Sequence, residues 1–360
     1  RRLAGEYNRY IRLKLDGDDG ELAKSLTGYP AELDEMHCRS LEEQKKRWFF
    51  RENEKASGNP QNTMGAEELR LLDNAEFALE LNCTSLYEEY LCQPLQAFLA
   101  SYWQKNYLTH SYFAGRTPDR FYIGNQFCHL LFPERKLLFE IIEKAAAEQV
   151  EITLVFSYIR EYMLDYITEL LDEINRWCEE KRQSVEIVVN DWGMASLVKK
   201  SRRNLIPSLG ILLNKRRKDP RIPFKKGEQK WFERNSLNAG FYRNFLEREY
   251  GIQRFEWESC GYEQQIPPGK NSLHIPFYQT NTSQYCPLGA VCETGERGRQ
   301  KLAKKCPGYC TEYALLYPEH LHMIGRYNSL FGIDMRILKE EEILKNYIQN
   351  GVDRVVIRAW

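Results

Sequence analysis

Ten cysteines occur in this chain of 360 residues, and four of them fall within 25 residues at the spacing C-x5-C-x13-C-x3-C. Thiols at this density, in a loop punctuated by glycine and proline, are expected to share a metal ion or to form disulfides. Glycine and proline let a backbone fold tightly around one centre, which a regular helix does not do. The segment 286–310 therefore predicts a clustered-cysteine site, with a loop of free or disulfide-bonded cysteines as the alternative. Its four cysteines are Cys286, Cys292, Cys306 and Cys310.

Basic side chains lie between these cysteines. They would offset the negative charge of a thiolate-bound centre and lower the pKa of the thiols. They are Arg297, Arg299, Lys301, Lys304 and Lys305.

A more distant cysteine could complete such a site. Cys128 follows a predicted strand in the sequence YIGNQFC, and a buried packing role is its alternative. Structural zinc sites favour paired C-x2-C or C-x4-C knuckles, to which only Cys306-x3-Cys310 comes close. Irregular spacing with a remote ligand suits a 4Fe–4S cluster better, so we expect iron–sulfur ahead of zinc. The pattern leaves open either role for Cys260, and predicts buried packing for Cys38, Cys83, Cys92 and Cys178.

A second chemical signal is the basic segment that begins at Leu212, with the sequence LLNKRRKDPRIPFKKGEQK. Guanidinium groups here could bind a carboxylate, a phosphate or an RNA backbone, with a solvated loop as the alternative. Asp219-Pro220 predicts a turn that would hold the following arginine in a defined direction. The candidate anion-binding residues are Arg216, Arg217 and Arg221.

Composition excludes several classes of protein. Lys and Arg together number 51, as do Asp and Glu, so the overall charge favours neither nucleic acid nor an anionic membrane. No apolar run is long enough to span a membrane, and no signal peptide opens the sequence. We therefore expect a cytoplasmic protein with reduced thiols. No G-x-S-x-G elbow, H-E-x-x-H helix or P-loop supports a serine hydrolase, zincin or nucleotide hydrolase.

The order of patterns predicts the fold class. Apolar, strand-like segments alternate with amphipathic helical segments from residue 119 onwards, which favours a parallel sheet. Seven or eight strands over about 240 residues fit an α/β TIM-like (β/α)8 barrel, regular or distorted. A doubly wound sheet is the runner-up, but no glycine-rich phosphate fingerprint follows the first strand. The predicted strands are 120–132, 151–159, 184–191, 205–214, 252–259, 272–279 and 352–360.

Two regions follow from this reading. Residues 1–118 are predicted to form a helical accessory region, with the clearest helical spacing in segments starting at Ala66 and Ser85. Residues 119–360 are predicted to form the barrel, which carries the cysteine-rich loop 286–310. The ends of barrel strands surround the active site of such folds. That rule nominates Cys128, Asn190, Asp191, Asn214, Glu258 and Cys260, together with the cysteine-rich loop.

Five motifs, in order, resemble the collagenase-like peptidase U32 family. They are YIGNQFC, VVNDWG, LLNKRRKDPR, the H-x-P strand that leads to Cys286, and CPGYC. The resemblance spans residues 120 to 360 and is greatest to the family's iron–sulfur proteins of oxygen-independent ubiquinone hydroxylation and RNA base hydroxylation. It implies a TIM-like barrel, a 4Fe–4S cluster held by four cysteines, and hydroxylation with prephenate as the apparent hydroxyl source. No recognisable protease machinery is present, so peptidase activity is not implied for this chain.

The resemblance also implies a ligand set. The family pattern is a cysteine after the first strand, one after the H-x-P strand and a final C-x3-C pair. It implies Cys128, Cys306 and Cys310, together with either Cys286 or Cys292. Motif context favours Cys286, whereas distance to the final pair favours Cys292.

The leading expectation is therefore an iron–sulfur protein of the U32 type. It would be an oxygen-independent hydroxylase or modifying enzyme, or a subunit of one, acting on an aromatic or nucleobase substrate. Its expected partners are a second U32-like chain and a small anionic co-substrate. The alternative is an RNA-associated binding module whose iron–sulfur or zinc site is structural.

Overall fold

Eight parallel strands close into a barrel in the computed structural model, which describes residues 38–46, 75–109, 111–200, 202–218, 230–315, 317 and 322–359. The final strand, Arg354–Ile357, pairs with both Lys270–Ile275 and Glu76–Leu81 and thereby closes the ring. The predicted TIM-like (β/α)8 fold is confirmed. The barrel strands are β2 (Glu76–Leu81), β3 (Arg120–Gly124), β4 (Glu151–Val155), β5 (Val185–Val189), β6 (Leu205–Leu209), β7 (Arg254–Glu258), β8 (Lys270–Ile275) and β13 (Arg354–Ile357).

Helices follow the strands because each amphipathic segment buries one apolar stripe against the sheet. In the helix that follows β4, for example, Leu170, Leu171 and Ile174 are fully buried. The α-helices in the described residues are α1 (Leu41–Lys45), α2 (Thr84–Cys92), α3 (Leu95–Lys105), α4 (Arg135–Ala147), α5 (Leu164–Lys181), α6 (Trp192–Lys199), α7 (Lys230–Glu233), α8 (Gly240–Tyr250), α9 (Pro287–Thr294) and α10 (Glu341–Gln349).

The barrel begins earlier than predicted. Strand β2 lies inside the segment from Ala66 that was predicted to be helical, and it pairs with β3 and β13. The helices predicted from Ser85 are present as α2 and α3, and they connect β2 to β3 as part of the barrel. The predicted boundary at residue 118 is therefore wrong, because residues 76–118 contribute one complete strand–helix unit. Residues 1–37 and 47–74 of the predicted accessory region lie outside the described residues.

A second, antiparallel sheet of five strands was not predicted. In space its strands follow the order Cys38–Ser40, Tyr313–Leu315, Met323–Arg326, Ser329–Ile333 and Phe277–Thr282. The predicted strand 272–279 divides between the two sheets, since β8 ends at Ile275 and the next strand begins at Phe277. Close packing occurs at Gly332, where an added Cβ would lie 2.2 Å from the ring of Tyr278. The strands are β1 (Cys38–Ser40), β9 (Phe277–Thr282), β10 (Tyr313–Leu315), β11 (Met323–Arg326) and β12 (Ser329–Ile333).

Charged side chains fill both ends of the barrel interior, and a small apolar layer lies between them. The apolar layer consists of Ala78, Tyr122, Val155, Val188 and Val356. At the amino ends of the strands, Arg354 Nη1 lies 2.5 Å from Glu186 Oε2, and Arg354 Nε lies 2.6 Å from Glu76 Oε2. These buried charges are paired, as burial requires.

The carboxyl ends of the strands carry the matching layer. Arg358 Nε lies 2.7 Å from Glu80 Oε2, and Arg358 Nη1 lies 2.9 Å from Glu258 Oε1. Below this pair, His274 Nε2 lies 2.9 Å from Glu256 Oε2. All five side chains are at most 2% exposed. The layer thus forms the floor beneath the residues that follow the strands.

Candidate functional site

Cys128 lies just beyond the carboxyl end of β3, as predicted. The turn is fixed by Asn125, whose side-chain oxygen accepts hydrogen bonds from the backbone N–H groups of Phe127 at 2.9 Å and Cys128 at 3.0 Å. The amide nitrogen of Asn125 donates to the carbonyl of Asn82 at 3.2 Å, which ties the turn to the end of β2. The asparagine therefore holds the thiol of Cys128 at the mouth of the barrel.

Cys286 begins helix α9, so the cysteine-rich segment is not the helix-free loop that was predicted. Its sulfur caps the helix by accepting a hydrogen bond from the backbone N–H of Gly289 at 3.2 Å. Pro287 occupies the first turn, where a missing N–H leaves no helical bond unmade. The helix ends at Gly295, which adopts a left-handed φ of 73°.

Cys306 and Cys310 flank a tight turn. Gly308 has a φ of 86°, which favours glycine, and its N–H donates to the sulfur of Cys306 at 3.4 Å. Cys306 is exposed, whereas Cys310 is buried. The turn therefore presents one thiol to solvent and directs the other inwards.

The thiol of Cys128 lies within electrostatic reach of two others. Burial, with smaller contributions from the neighbouring thiols of Cys286 and Cys306, raises the pKa of Cys128 to about 12. Hydrogen bonds from the backbone N–H groups of Leu130 and Leu131 act in the opposite direction. Donors of this kind stabilise the thiolate form.

Cys310 belongs to the same group. Burial raises the pKa of Cys310, and the thiols of Cys128, Cys286 and Cys306 contribute to the rise. The positive charge of Arg326 opposes it. Arg326 is 2% exposed, and its Nε donates to the backbone carbonyl of Cys310 at 2.9 Å. Arg326, 16 positions away in the sequence, thus orients Cys310. No sequence motif predicted this contact.

Cys292 has different surroundings. It lies on α9, half-buried against the apolar core, and it contributes to the raised pKa of Tyr309, for which burial is the larger cause. The thiols of Cys292 and Cys306 both raise the pKa of Tyr309, whereas that of Cys286 acts on Cys128 and Cys310.

A metal centre needs several donor side chains that converge on one point. In the described part of the chain, no three His, Cys, Asp or Glu side chains stand in an arrangement that would hold a metal ion without moving. The thiol of Cys286 donates to the carbonyl of Tyr327 at 3.0 Å, so this proton would have to leave before the sulfur could bind a metal. The residue types fit a thiolate-bound centre, provided that the four thiols lose their protons and turn towards one another.

Of the three arginines predicted to bind an anion, one is turned inwards, one is exposed and one lies outside the described residues. Arg216 is turned inwards, with its guanidinium 3.4 Å from Glu258 and 3.5 Å from the sulfur of Cys260, and hydrogen-bonded to Gln264. Arg217 is exposed, and its guanidinium lies 5.5 Å from the ring centroid of Phe232. Arg221 lies outside the described residues. Arg216 is thus already engaged by a carboxylate of the protein.

Glu258 is the centre of this inward cluster. Although burial acts to raise it, the pKa of Glu258 is lowered to about 2 by Lys218, Arg358 and Arg216. Lys218 lies 2.9 Å from Glu258 and 2.6 Å from the side-chain oxygen of Gln279. Burial lowers the pKa of Lys218 to about 8. The predicted strand-end residue Glu258 is therefore held as a carboxylate among three cations.

The remaining strand-end residues make hydrogen bonds to neighbouring elements. Asp191 caps α6 by accepting from the N–H of Met194 at 2.8 Å. Asn190 donates to the carbonyl of Phe156 at 2.8 Å, and Asn214 donates to that of Glu256 at 3.0 Å. These side chains bind the ends of neighbouring strands to one another.

Only some of the cysteines predicted to pack in the core are buried. Cys83 and Cys178 are buried, as is Cys260, whose role was left open. Cys92 is exposed, so its predicted burial is wrong. It ends helix α2 on the side that faces solvent. The side chain of Cys38 lies outside the described residues.

Comparisons with known proteins add little. No family model matches the chain, and no curated protein matches it. One similar solved structure is the crystal structure of the Bacillus megaterium QM B1551 spore cortex-lytic enzyme SleL, with 14% identity and a TM-score of 0.31 over 79% of this chain and 70% of that one. A likeness at this level carries no argument about function.

Proposed function

We propose that this chain is an iron–sulfur protein of the U32 type. It would act as an oxygen-independent hydroxylase or modifying enzyme, or as a subunit of one, on an aromatic or nucleobase substrate. The observation that carries the proposal is the group of thiols at the barrel mouth, supplied by the end of β3 and by the segment that follows β9. Its members are Cys128, Cys286, Cys306 and Cys310.

Backbone N–H groups support this choice of ligands. The sulfurs of Cys128, Cys286 and Cys306 all accept backbone hydrogen bonds. Hydrogen bonds to sulfur lower the cost of the thiolate and tune the potential of an iron–sulfur cluster. For Cys310, the nearby positive charge of Arg326 favours the thiolate instead. These surroundings favour Cys286 over Cys292 as the fourth ligand.

Bound at these four cysteines, a 4Fe–4S cluster would supply one-electron chemistry. The protein itself would hold the ligands in position and fill the barrel interior beneath them. Asn125 fixes Cys128, and Arg326 orients Cys310. Beneath the mouth, the ion pair between Arg358 and Glu258 is buried and fills the carboxyl end of the barrel interior.

The co-substrate and partner belong to the same proposal. A small anion would bind near the basic segment that follows β6, where exposed Arg217 is the described candidate, because Arg216 is paired with Glu258. A second U32-like chain and a cytoplasmic location complete the proposal. Four neighbouring thiols stay available to a cluster where the surroundings are reducing.

Membrane insertion has no support, since none of the helices in the described residues is both long enough and apolar enough to cross a bilayer. Zinc is the alternative occupant of the site. Four thiolates also suit that metal.

Anaerobic purification tests the proposal. We expect a brown protein with thiolate–iron absorption and about four iron and four sulfide per chain, the composition of one 4Fe–4S cluster. Serine variants of Cys128, Cys286, Cys306 and Cys310, made one at a time, should lose most of the iron and sulfide, because serine is a poor ligand for this cluster.

Cys292→Ser is the matched control, since it removes a thiol from the same segment and should keep the cluster. A colourless protein with one zinc per chain would contradict the iron–sulfur assignment. Loss of iron in Cys292→Ser but not in Cys286→Ser would show that the wrong fourth ligand was chosen.

A further inference from the structure

Helix α8 directs apolar side chains towards solvent instead of towards the barrel. Of its eleven residues, all within the described part of the chain, only Leu246 is buried. Phe241 is 80% exposed and Phe245 is 44% exposed, whereas seven side chains of α5 are buried. A helix that surrounds a barrel is expected to bury its apolar stripe, so the rings of α8 call for another binding partner.

Four exposed residues of α8 lie in one row along the helix. They stand at i, i+3, i+4 and i+7, the spacing that brings side chains to the same side of a helix. We call this row the α8 face and define it by Phe241, Asn244, Phe245 and Arg248. A phenylalanine and an arginine thus lie at its two ends, about 10 Å apart along the helix axis.

Ring contacts extend the α8 face onto helix α6. The ring centroid of Phe245 lies 5.8 Å from that of Tyr250, which in turn lies 5.3 Å from that of Trp192 at the start of α6. Phe245 also stacks on Tyr242, with the two centroids 6.4 Å apart. Single exposed rings are ordinary on protein surfaces, but a contiguous apolar patch marks a place where another molecule binds.

The charges around the α8 face indicate which kind of molecule that is. Within α8, Arg243 and Arg248 balance Glu247 and Glu249, so the helix has no net charge. Charges of both signs also lie on the adjoining segments, among them Glu233, Arg234 and Lys199. An anionic membrane attracts helices whose polar face is basic, which α8 lacks. A helix without net charge does not repel a second copy of itself.

We propose that the α8 face binds the same face of a second copy of this chain, across a two-fold axis between Asn244 and Phe245. With the two helices antiparallel, Phe241 of each copy lies opposite the partner subunit's Arg248, so a cation–π contact forms twice. Near the axis, Phe245 packs against the partner subunit's Asn244. The row is therefore complementary to itself.

This dimer is independent of the proposed function. No cysteine takes part in it, and the second U32-like chain proposed above is a different molecule. The dimer should be weak, because α8 is about 16 Å long and each partner in a stable complex buries roughly 800 Å². The contact therefore has to include Trp192, and we expect a dissociation constant on the order of 10 μM.

Sedimentation equilibrium of the full chain, at about 1–200 μM and under reducing conditions that prevent disulfides between copies, tests the proposal. Phe241→Arg places an arginine opposite the partner subunit's Arg248 twice in each dimer, and should weaken association at least about tenfold. The urea midpoint of this variant should equal that of the wild type, because the replaced side chain is exposed.

Exchanging the two ends of the row should restore the dimer. Phe241→Arg/Arg248→Phe again pairs one ring with one cation at each contact, so its dissociation constant should return to within about threefold of the wild-type value. The matched control is Phe241→Arg/Arg176→Phe, which makes the same two substitutions but places the ring on the exposed side of α5. It should remain monomeric. Equal dimerisation of both double variants would show unspecific adhesion and overturn the proposal.

Hydrogen exchange followed by mass spectrometry locates the contact. Amides of α8 should exchange more slowly at high than at low protein concentration, and those of α5 should not change. Slower exchange elsewhere but not in α8 would show that the dimer uses another surface, and the proposal would be wrong. A wild-type chain that stays monomeric over the whole concentration range would also overturn it, and would leave the α8 face to a different protein or to a lipid surface.

Discussion

The inside of the barrel and the cysteine site at its mouth use polar groups in opposite ways. Inside, Arg358 and Arg354 are at most 2% exposed, and each contacts two carboxylates. At the mouth, Cys306 is exposed, and no disulfide joins it to another cysteine. The interior therefore satisfies its own charges, whereas the mouth keeps reactive groups available.

This contrast separates stability from chemistry. A buried ion becomes costly as soon as its partner is removed, so each charge in the interior depends on its partners. An exposed thiol contributes little to folding, so the loop can hold reactive residues without endangering the fold. The same division between a stable barrel and functional loops is typical of (β/α)8 folds.

The largest effect should follow from breaking the interior pair. Arg358→Met leaves Glu80 buried without its counter-ion, 1% exposed, and we expect the free energy of unfolding to fall by about 3–5 kcal/mol. Urea unfolding followed by circular dichroism measures the loss.

Two variants control this prediction. Arg358→Met/Glu80→Gln should recover part of the loss, because it removes the isolated charge. Arg135→Met, which breaks a half-exposed pair with Glu173 at 3.1 Å, should cost less than about 1 kcal/mol. An Arg358→Met variant as stable as the wild type would mean that water reaches the interior.

The free energy of unfolding should also depend on pH, because the buried carboxylates must stay charged. The pKa of Glu258 in the folded chain is about 2, below its ordinary value of 4.5, so its contribution is complete above pH 4.5 and disappears as the pH falls through 2. On account of this carboxylate, we expect the free energy of unfolding to fall by about 3 kcal/mol as the pH drops from 4.5 to 2.

Urea titrations at a series of pH values measure the free energy of unfolding as a function of pH. The exposed acid Glu161 provides the control, since Glu161→Gln should leave the curve unchanged. If no stability is lost between pH 4.5 and 2, the interior cations do not hold Glu258 in its charged form.

The smallest effect should come from the cysteine site. In the metal-free chain, Cys306→Ser replaces an exposed thiol, and the free energy of unfolding should change by no more than about 0.5 kcal/mol. Urea unfolding of metal-free variant and wild type, in parallel, tests this. A loss above 2 kcal/mol would show that the loop supports the fold even without a metal.

Sequence predicted the barrel because seven of its strands are compact apolar runs separated by amphipathic helices. Strand β2 was missed, since Glu76–Leu81 continues the helical spacing of the preceding residues, and its partners β3 and β13 lie far away in sequence. The second sheet was missed for a similar reason. Strands such as Tyr313–Leu315 have three residues, too few for an alternating pattern to be recognised.

The site was predicted only where residue type decides its chemistry. Cysteines are recognisable by spacing, and the end of β3 placed Cys128 at the mouth. Arg326 and Arg160 act through folded contacts with Cys310 and Gln284, which no local pattern encodes. Arg216 illustrates the opposite error, since its basic neighbours suggested solvent exposure while Glu258 draws it inwards.

Strand β13 has a consequence for synthesis on the ribosome. Arg354 in this strand and Arg358 directly after it neutralise carboxylates on β2 from a distance of 278 residues in the sequence. Every other strand of the barrel is translated before it. The barrel therefore cannot close until these two arginines have left the ribosome. Until then the edges of the sheet stay exposed to water, and an incomplete chain of this kind is expected to bind chaperones.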